Sequence, residues 1–138
     1  MSQAAKQGDQ IVPVGVHLHV VKLPSPAPPG PLPHPCVWEI TKNLSADVFI
    51  HSQAAAMKDS GGENTGAKKH EVTKPGLDFL RPPPNMDQAA IADGSRSVFI
   101  NKRPAARAGD PADTCHEAPG AKTGSVVIAG TCTVFIGG

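Results

Sequence analysis

The chain has 138 residues and a formal net charge of +1, so it suits a single domain and gives no electrostatic reason to bind nucleic acid. It holds 15 Pro and 14 Gly against four Phe, one Trp and no Tyr. That excludes a thick aromatic core and points to a thin fold that needs an added staple such as a metal.

In chain order, MSQAAKQGDQ has one Lys and no apolar stretch after it, so no secretory signal is expected. Residues 1–3 stand outside the repeat described below and are expected as a disordered tail. The apolar run that follows is broken by Pro13, Gly15, His17 and His19, which excludes a membrane span. Residues 22–36, KLPSPAPPGPLPHPC, predict extended polyproline conformation. RPPPN at 81–85 has the same character, and a short helical turn is predicted over 87–92.

The segments VFI at 48–50, 98–100 and 134–136 are an internal repeat. Each predicts a strand whose Val and Ile share one face while Phe takes the other. After the first two come HSQ and NKR, then AAAMKDS and PAARAGD, so each unit reads as a β-hairpin. Paired alanines suit close approach between strands, and Gly-Asp suits a turn. The third copy is split: VFI lies at 134–136, and the matching AAKQGD lies at 4–9. The expectation is three hairpin equivalents in pseudo-threefold order, closed by the two chain ends, with no free strand edges.

Connectors 10–47, 61–97 and 111–133 hold most of the Pro and Gly. They also hold the metal-ligating residue types, apart from His51. With no CxxC and no HxxxH, no compact zinc finger exists. His19 and His34 lie in the first connector, His70 in the second and Cys115 in the third. Three imidazoles and one thiolate make an acceptable structural zinc shell. Such a site would pin loops too polar to hold an apex by burial, with a contribution of about 10 kcal/mol. A closed four-ligand shell argues against hydrolysis. His17, Cys36 and His116 are alternative ligands, each beside a favoured one. Three widely spaced cysteines without a signal peptide do not predict a disulfide framework. No GxSxG elbow and no phosphate loop is present. Asp59, Asp78, Asp93, Asp110 and Asp113 sit at turn-like positions where capping accounts for them.

VFINKRPAARAGD closely resembles the signature repeat of the PAAR and PAAR-like proteins, which take their name from the string at 104–107. The ordered blocks HVVKLPSPAPPGPLPHP, VFIHSQAAAMKDS, His70, RPPPN, GSRSVFINKRPAARAGDPADTC and VFIGG extend the likeness over nearly the whole chain. The resemblance implies an all-β, cone-like single domain over 1–138. It implies a structural, non-enzymatic protein that caps the blunt end of a trimeric VgrG-like β-helical spike. The setting would be a type VI secretion system or a related contractile injection machine. A wide base would offer backbone and Val, Ile and Phe side chains to the threefold partner, and the apex would aid puncture of a target membrane. Zinc near the apex would be held by His19, His34, His70 and Cys115. The chain would act as a monomer, cytoplasmic before firing and exported with the spike without a signal peptide, with effectors as separate chains. The second repeat, AAAMKDS, lacks the Pro, Arg and Gly-Asp of the signature. Competing readings are a zinc-dependent hydrolase built on the same His/Cys cluster and a Pro-rich adaptor.

Overall fold

The computed structural model describes residues 1–14, 18–22, 30–33, 37–63, 78–79, 88–114 and 123–138. Among them the regular structure is entirely β. In chain order the strands are β1 (Ser2–Gln3), β2 (Gln10–Pro13), β3 (Leu18–Lys22), β4 (Gly30–Pro33), β5 (Trp38–Glu39), β6 (Phe49–Ile50), β7 (Gln53–Ala54) and β8 (Gly61–Glu63). There follow β9 (Asp78–Phe79), β10 (Gln88–Ile91), β11 (Phe99–Ile100), β12 (Arg103–Pro104), β13 (Pro111–Asp113), β14 (Gly124–Val127) and β15 (Phe135–Ile136).

The VFI segments behave as their alternation predicts at Phe and Ile. Ile50, Ile100 and Ile136 are buried while Phe49, Phe99 and Phe135 face outward. β6 pairs with β7 through a two-residue turn at His51 and Ser52, with φ of 50° and 64°. β11 pairs with β12 through Asn101 and Lys102, with φ of 50° and 67°. Left-handed φ at both turn residues matches the twist of the flanking strands. The third pair is β1 with β15, in register Ser2 to Ile136 and Gln3 to Phe135. Ser2 and Gln3, expected in a tail, are therefore strand residues.

The alanine segments after these pairs knit them together. Ala5 N–H donates to Ala106 O (3.0 Å), Ala106 N–H to Ala56 O (3.1 Å) and Ala56 N–H to Ala5 O (3.0 Å). These three bonds form a closed ring. A second set runs from Gln7 N–H to Ala54 O, Lys58 N–H to Pro104 O and Ala108 N–H to Gln3 O, each 2.8 Å. The ring alanines Ala5, Ala56 and Ala106, and the preceding Ala4, Ala55 and Ala105, are all 0% exposed. A larger side chain would hold the three backbones apart.

Beyond the ring, six strands form one antiparallel sheet in the order β5-β2-β14-β13-β10-β8. It curls until its edges nearly meet. Gly61 N–H donates to Lys42 O (3.1 Å), and Thr41 and Lys42 N–H donate to Gly61 O (2.8 Å each). The result is a nearly closed barrel-like sheet with no free edge at that junction. Closure depends on β8 having no side chains at two positions. A Cβ on Gly61 would run into the Ala89 carbonyl, and one on Gly62 into the Glu39 carbonyl. Ile11, Trp38, Ile40, Ala89, Ile91, Ala112 and Val126 fill the interior with the three ring alanines. A second core of Ala4, Ile50, Ala55, Met57, Ile100, Ala105, Cys132 and Ile136 lies under the strand pairs.

Two further sequence expectations are corrected. Residues 88–91 form β10 rather than a helical turn, because Ala89 and Ile91 alternate into the barrel interior. Residues 30–33, expected as polyproline, pair with β3 as β4. β9 then joins the other edge of β3, so the first and second connectors are hydrogen-bonded together. RPPPN lies outside the described residues.

Candidate functional site

Six of the nine large apolar side chains exposed among the described residues lie in the three VFI segments, on the outward side of the strand pairs. Phe49, Phe99 and Phe135 are 60%, 58% and 52% exposed. Val48, Val98 and Val134 beside them are each a little over one-third exposed. Each Val–Phe pair is held by the same contact: Ala55, Ala105 and Ala4 N–H donate to the carbonyls of Val48, Val98 and Val134, all at 2.9 Å. The sequence reading put Ile on this face with Val. The structure buries the three isoleucines, since they fill the second core.

Around the rim, each pair is latched to a neighbour by different chemistry. His51 Nε2 accepts from Thr133 N–H (3.1 Å) and lies 3.2 Å from Thr133 Oγ1. Asn101 Nδ2 donates to Asp47 Oδ1 (2.8 Å), and Ser45 Oγ donates to Asn101 Oδ1 (2.5 Å). At the third position Ser95 Oγ donates to Gly137 O (2.6 Å) and Arg96 N–H to Gly138 O (3.2 Å). The hydrogen bonds from Asn101 and Ser45 hold the Asp47 carboxyl below its ordinary pKa.

Turn carboxylates cap the alanine segments, as the sequence reading expected of Asp110. Asp110 accepts from Arg107 N–H (2.8 Å) and Nε (3.1 Å). Burial pushes the Asp110 carboxyl above its ordinary pKa even though the Arg107 bonds oppose this. Asp9 repeats the arrangement with Lys6 N–H and Nζ (2.9 and 3.0 Å) and also accepts from Ala129 N–H. Ser60 Oγ takes the same role for Met57 N–H (3.0 Å). The signal for these was the shared spacing of Asp9, Ser60 and Asp110 after the paired alanines.

Of the proposed zinc ligands, His19 lies in β3, in register with Leu32 of β4. His34, His70 and Cys115 lie outside the described residues, as do His17, Cys36 and His116. Among the described residues no group of three or more His, Cys, Asp or Glu could hold a metal ion. The backbone joins the first connector to the second near His19. Pro33, next to His34 in sequence, pairs with Leu18, next to His19, while β9 ties the second connector to Val21 and Lys22. The donor set of three imidazoles and a thiolate fits zinc. Cys132, not proposed as a ligand, is buried, with Sγ 3.5 Å from the carbonyls of Ala4 and Val134.

Compared with known proteins, the chain matches no family model and no curated protein.

Proposed function

We propose that this chain is a structural capping protein of the PAAR-like kind. One polypeptide imitates a trimer in order to seat on the end of a trimeric β-helical spike. In this reading the β6–β7 hairpin, the β11–β12 hairpin and the β1–β15 pair are pseudo-threefold equivalents. The observation that carries the reading is the recurrence of an exposed Val–Phe pair in all three, set by the same alanine-to-valine hydrogen bond. A homotrimer offers three identical ends, and a monomer uses all of them if it repeats its contact residues three times. Exposed phenylalanines at such spacing mark a surface that is covered in its working state.

The connectors would rise from the barrel to a narrow end, with zinc held by His19, His34, His70 and Cys115. When bound, the metal supplies a structural cross-link in place of a hydrophobic core. The chain would perform no catalysis. It would be loaded in the cytoplasm and leave with the spike of a type VI secretion system or a related contractile machine, aiding membrane puncture and delivery of effectors.

Co-purification with candidate trimeric spike proteins tests the reading. Phe49→Asp, Phe99→Asp and Phe135→Asp should each weaken the complex, since burying each ring contributes about 1.5–3 kcal/mol. The triple variant should not co-purify at all while keeping the strand signal of the free chain. Equal recovery of the triple variant, or no partner among the trimers, would sink the proposal.

A further inference from the structure

Each strand pair is tied to a neighbour by the residue that follows its isoleucine. Asn101, after Ile100, bonds to Ser45 Oγ and Asp47 Oδ1, just ahead of Val48. Gly137, after Ile136, accepts from Ser95 Oγ, just ahead of Val98. His51, after Ile50, meets Thr133, directly ahead of Val134. The contacts run head to tail round the ring, so each pair reaches out once and is reached once.

Two of these latches use groups that keep their protonation state near neutral pH. Gly137 offers a backbone carbonyl, and Asn101 an amide. The partner carboxyl of Asn101, on Asp47, is held below the ordinary value of 3.8. The remaining latch depends on a bare ring nitrogen. Thr133 N–H donates to His51 Nε2 at 3.1 Å, so the neutral ring carries its proton on Nδ1. Thr133 Oγ1 lies 3.2 Å from the same Nε2. Both residues are exposed, so solvent protons reach the ring freely. Imidazole is the side-chain type whose charge changes between about pH 8 and pH 5. A proton on Nε2 takes up the lone pair and sets one N–H against another.

We propose that the His51–Thr133 contact is a pH-sensitive latch on the Val–Phe face, closed on neutral imidazole and open on imidazolium. Thr133 directly precedes Val134 and Phe135, so opening frees the approach to the third Val–Phe pair while the other two latches hold. The elements beside His51 offer nothing to hold the protonated ring in place. β7, β15 and residues 128–134 contain no Asp, Glu, Lys or Arg. Asp47, ahead of β6, is engaged by Asn101 and Ser45. Lys6 lies opposite Ala55, with Nζ bonded to Asp9. Lys58 follows β7, and the Met1 amino group precedes β1; both are cationic and disfavour a further positive charge. The consequence for binding rests on the seating proposed above: in mild acid a threefold partner meets two aligned pairs and one loose one.

The test is an NMR pH titration of the isotope-labelled full chain with no partner present. At about pH 8 the His51 ring should carry its proton on Nδ1, and the Thr133 amide should be protected from exchange. Between there and about pH 5 the protection factor of Thr133 should fall roughly fivefold, as for the loss of one hydrogen bond. The amides of Val48 and Val98, held by Ser45 Oγ and Ser95 Oγ, should keep theirs. His51→Asn places in this turn the residue found at position 101, where φ is the same 50°. It should leave the protection of Thr133 flat across the titration. A proton on Nε2 at the upper pH, unchanging protection in the natural chain, or a fall that survives His51→Asn would overturn the proposal. Co-purification with trimers keeps it separate from the reading beneath it. An unresponsive Thr133 in a chain that does co-purify rejects the latch alone. A responsive Thr133 in a chain with no trimeric partner upholds the latch and rejects the seating.

Discussion

In the β11–β12 hairpin, a turn through Asn101 and Lys102 holds two strands in register. In the β1–β15 pair no turn joins the strands, yet Ile136 pairs with Ser2 as Ile100 pairs with Arg103. The closed pair relies on local chemistry and the open one on contacts from outside it. Gly137 O accepts from Ser95 Oγ and Arg107 Nη1, and Gly138 O from Arg96 N–H. Register is thus set by the alanine ring and the buried isoleucines, with the turn as a secondary aid. A one-residue slip would turn Phe135 into the core and Ile136 out to solvent.

The strongest way to break this comparison is to crowd the ring. Ala5→Leu, Ala56→Leu and Ala106→Leu each force three branched carbons into a site with 0% exposure, at a cost of about 3 kcal/mol. If the open pair is a full member of the ring, chemical denaturation will give three similar losses. If β1 is only loosely attached, it will peel away and Ala5→Leu will cost far less than the other two.

The repeat units were legible because their code is local. Alternation in VFI and a pair of small residues fix which side chains point inward and how near the strands approach. The match of AAKQGD to AARAGD brings the two chain ends together, but it names Ala4–Asp9 as the partner strand of residues 134–136, where the structure pairs Ser2–Gln3 with Phe135–Ile136. Other features needed tertiary contacts that no short window encodes. The stretch at 88–91 has helix-compatible Gln and Ala, and it becomes β10 because Ala90 pairs with Gly61 and Ala89 and Ile91 turn inward. Residues 30–33 look like polyproline because proline fixes φ there, but the same φ suits an edge strand that can spare its N–H. Barrel closure hangs on two glycines meeting carbonyls 28 and 23 residues away in sequence. The latches joining Asn101 to Ser45 and Asp47 likewise link residues more than fifty apart. For the metal, the sequence names the donors, and of those four the structure places the backbone of His19.

A smaller perturbation sharpens the contrast between closed and open pairs. Deleting residues 137–138 removes the acceptors used by Ser95 Oγ, Arg107 Nη1 and Arg96 N–H. Leaving such donors without partners costs about 1–3 kcal/mol in total, given partial rescue by water. Hydrogen exchange should quicken at Ser2, Gln3 and Ile136. Protection at Ile50 and Ile100 should hold. Uniform quickening over all three pairs would mean that the chain ends brace the whole ring rather than one member of it.

The smallest expected effect is on pH dependence, and the two sides differ in sign. Asp47 latches the closed hairpin, and its carboxyl is held below the ordinary value of 3.8. Its ionised form is favoured by folding, so its contribution is present above that value and fades as pH falls through the lower folded pKa. Asp110 sits beside Arg107, which braces the open pair, and burial holds its carboxyl above 3.8. Its protonated form is favoured by folding, so its contribution is present below that value and fades as pH rises through the higher folded pKa. Acidification should therefore loosen the Asn101 latch while relieving the buried charge near the open pair. Side-chain carboxyl NMR should find Asp110 titrating before Asp47 as pH falls. Asp47→Ser should remove the loss of stability at the acid end, and Asp110→Asn should remove the small gain that precedes it. A reversed order of titration would mean that Arg107 outweighs burial at Asp110, and that the brace on the open pair is an ion pair which acid breaks.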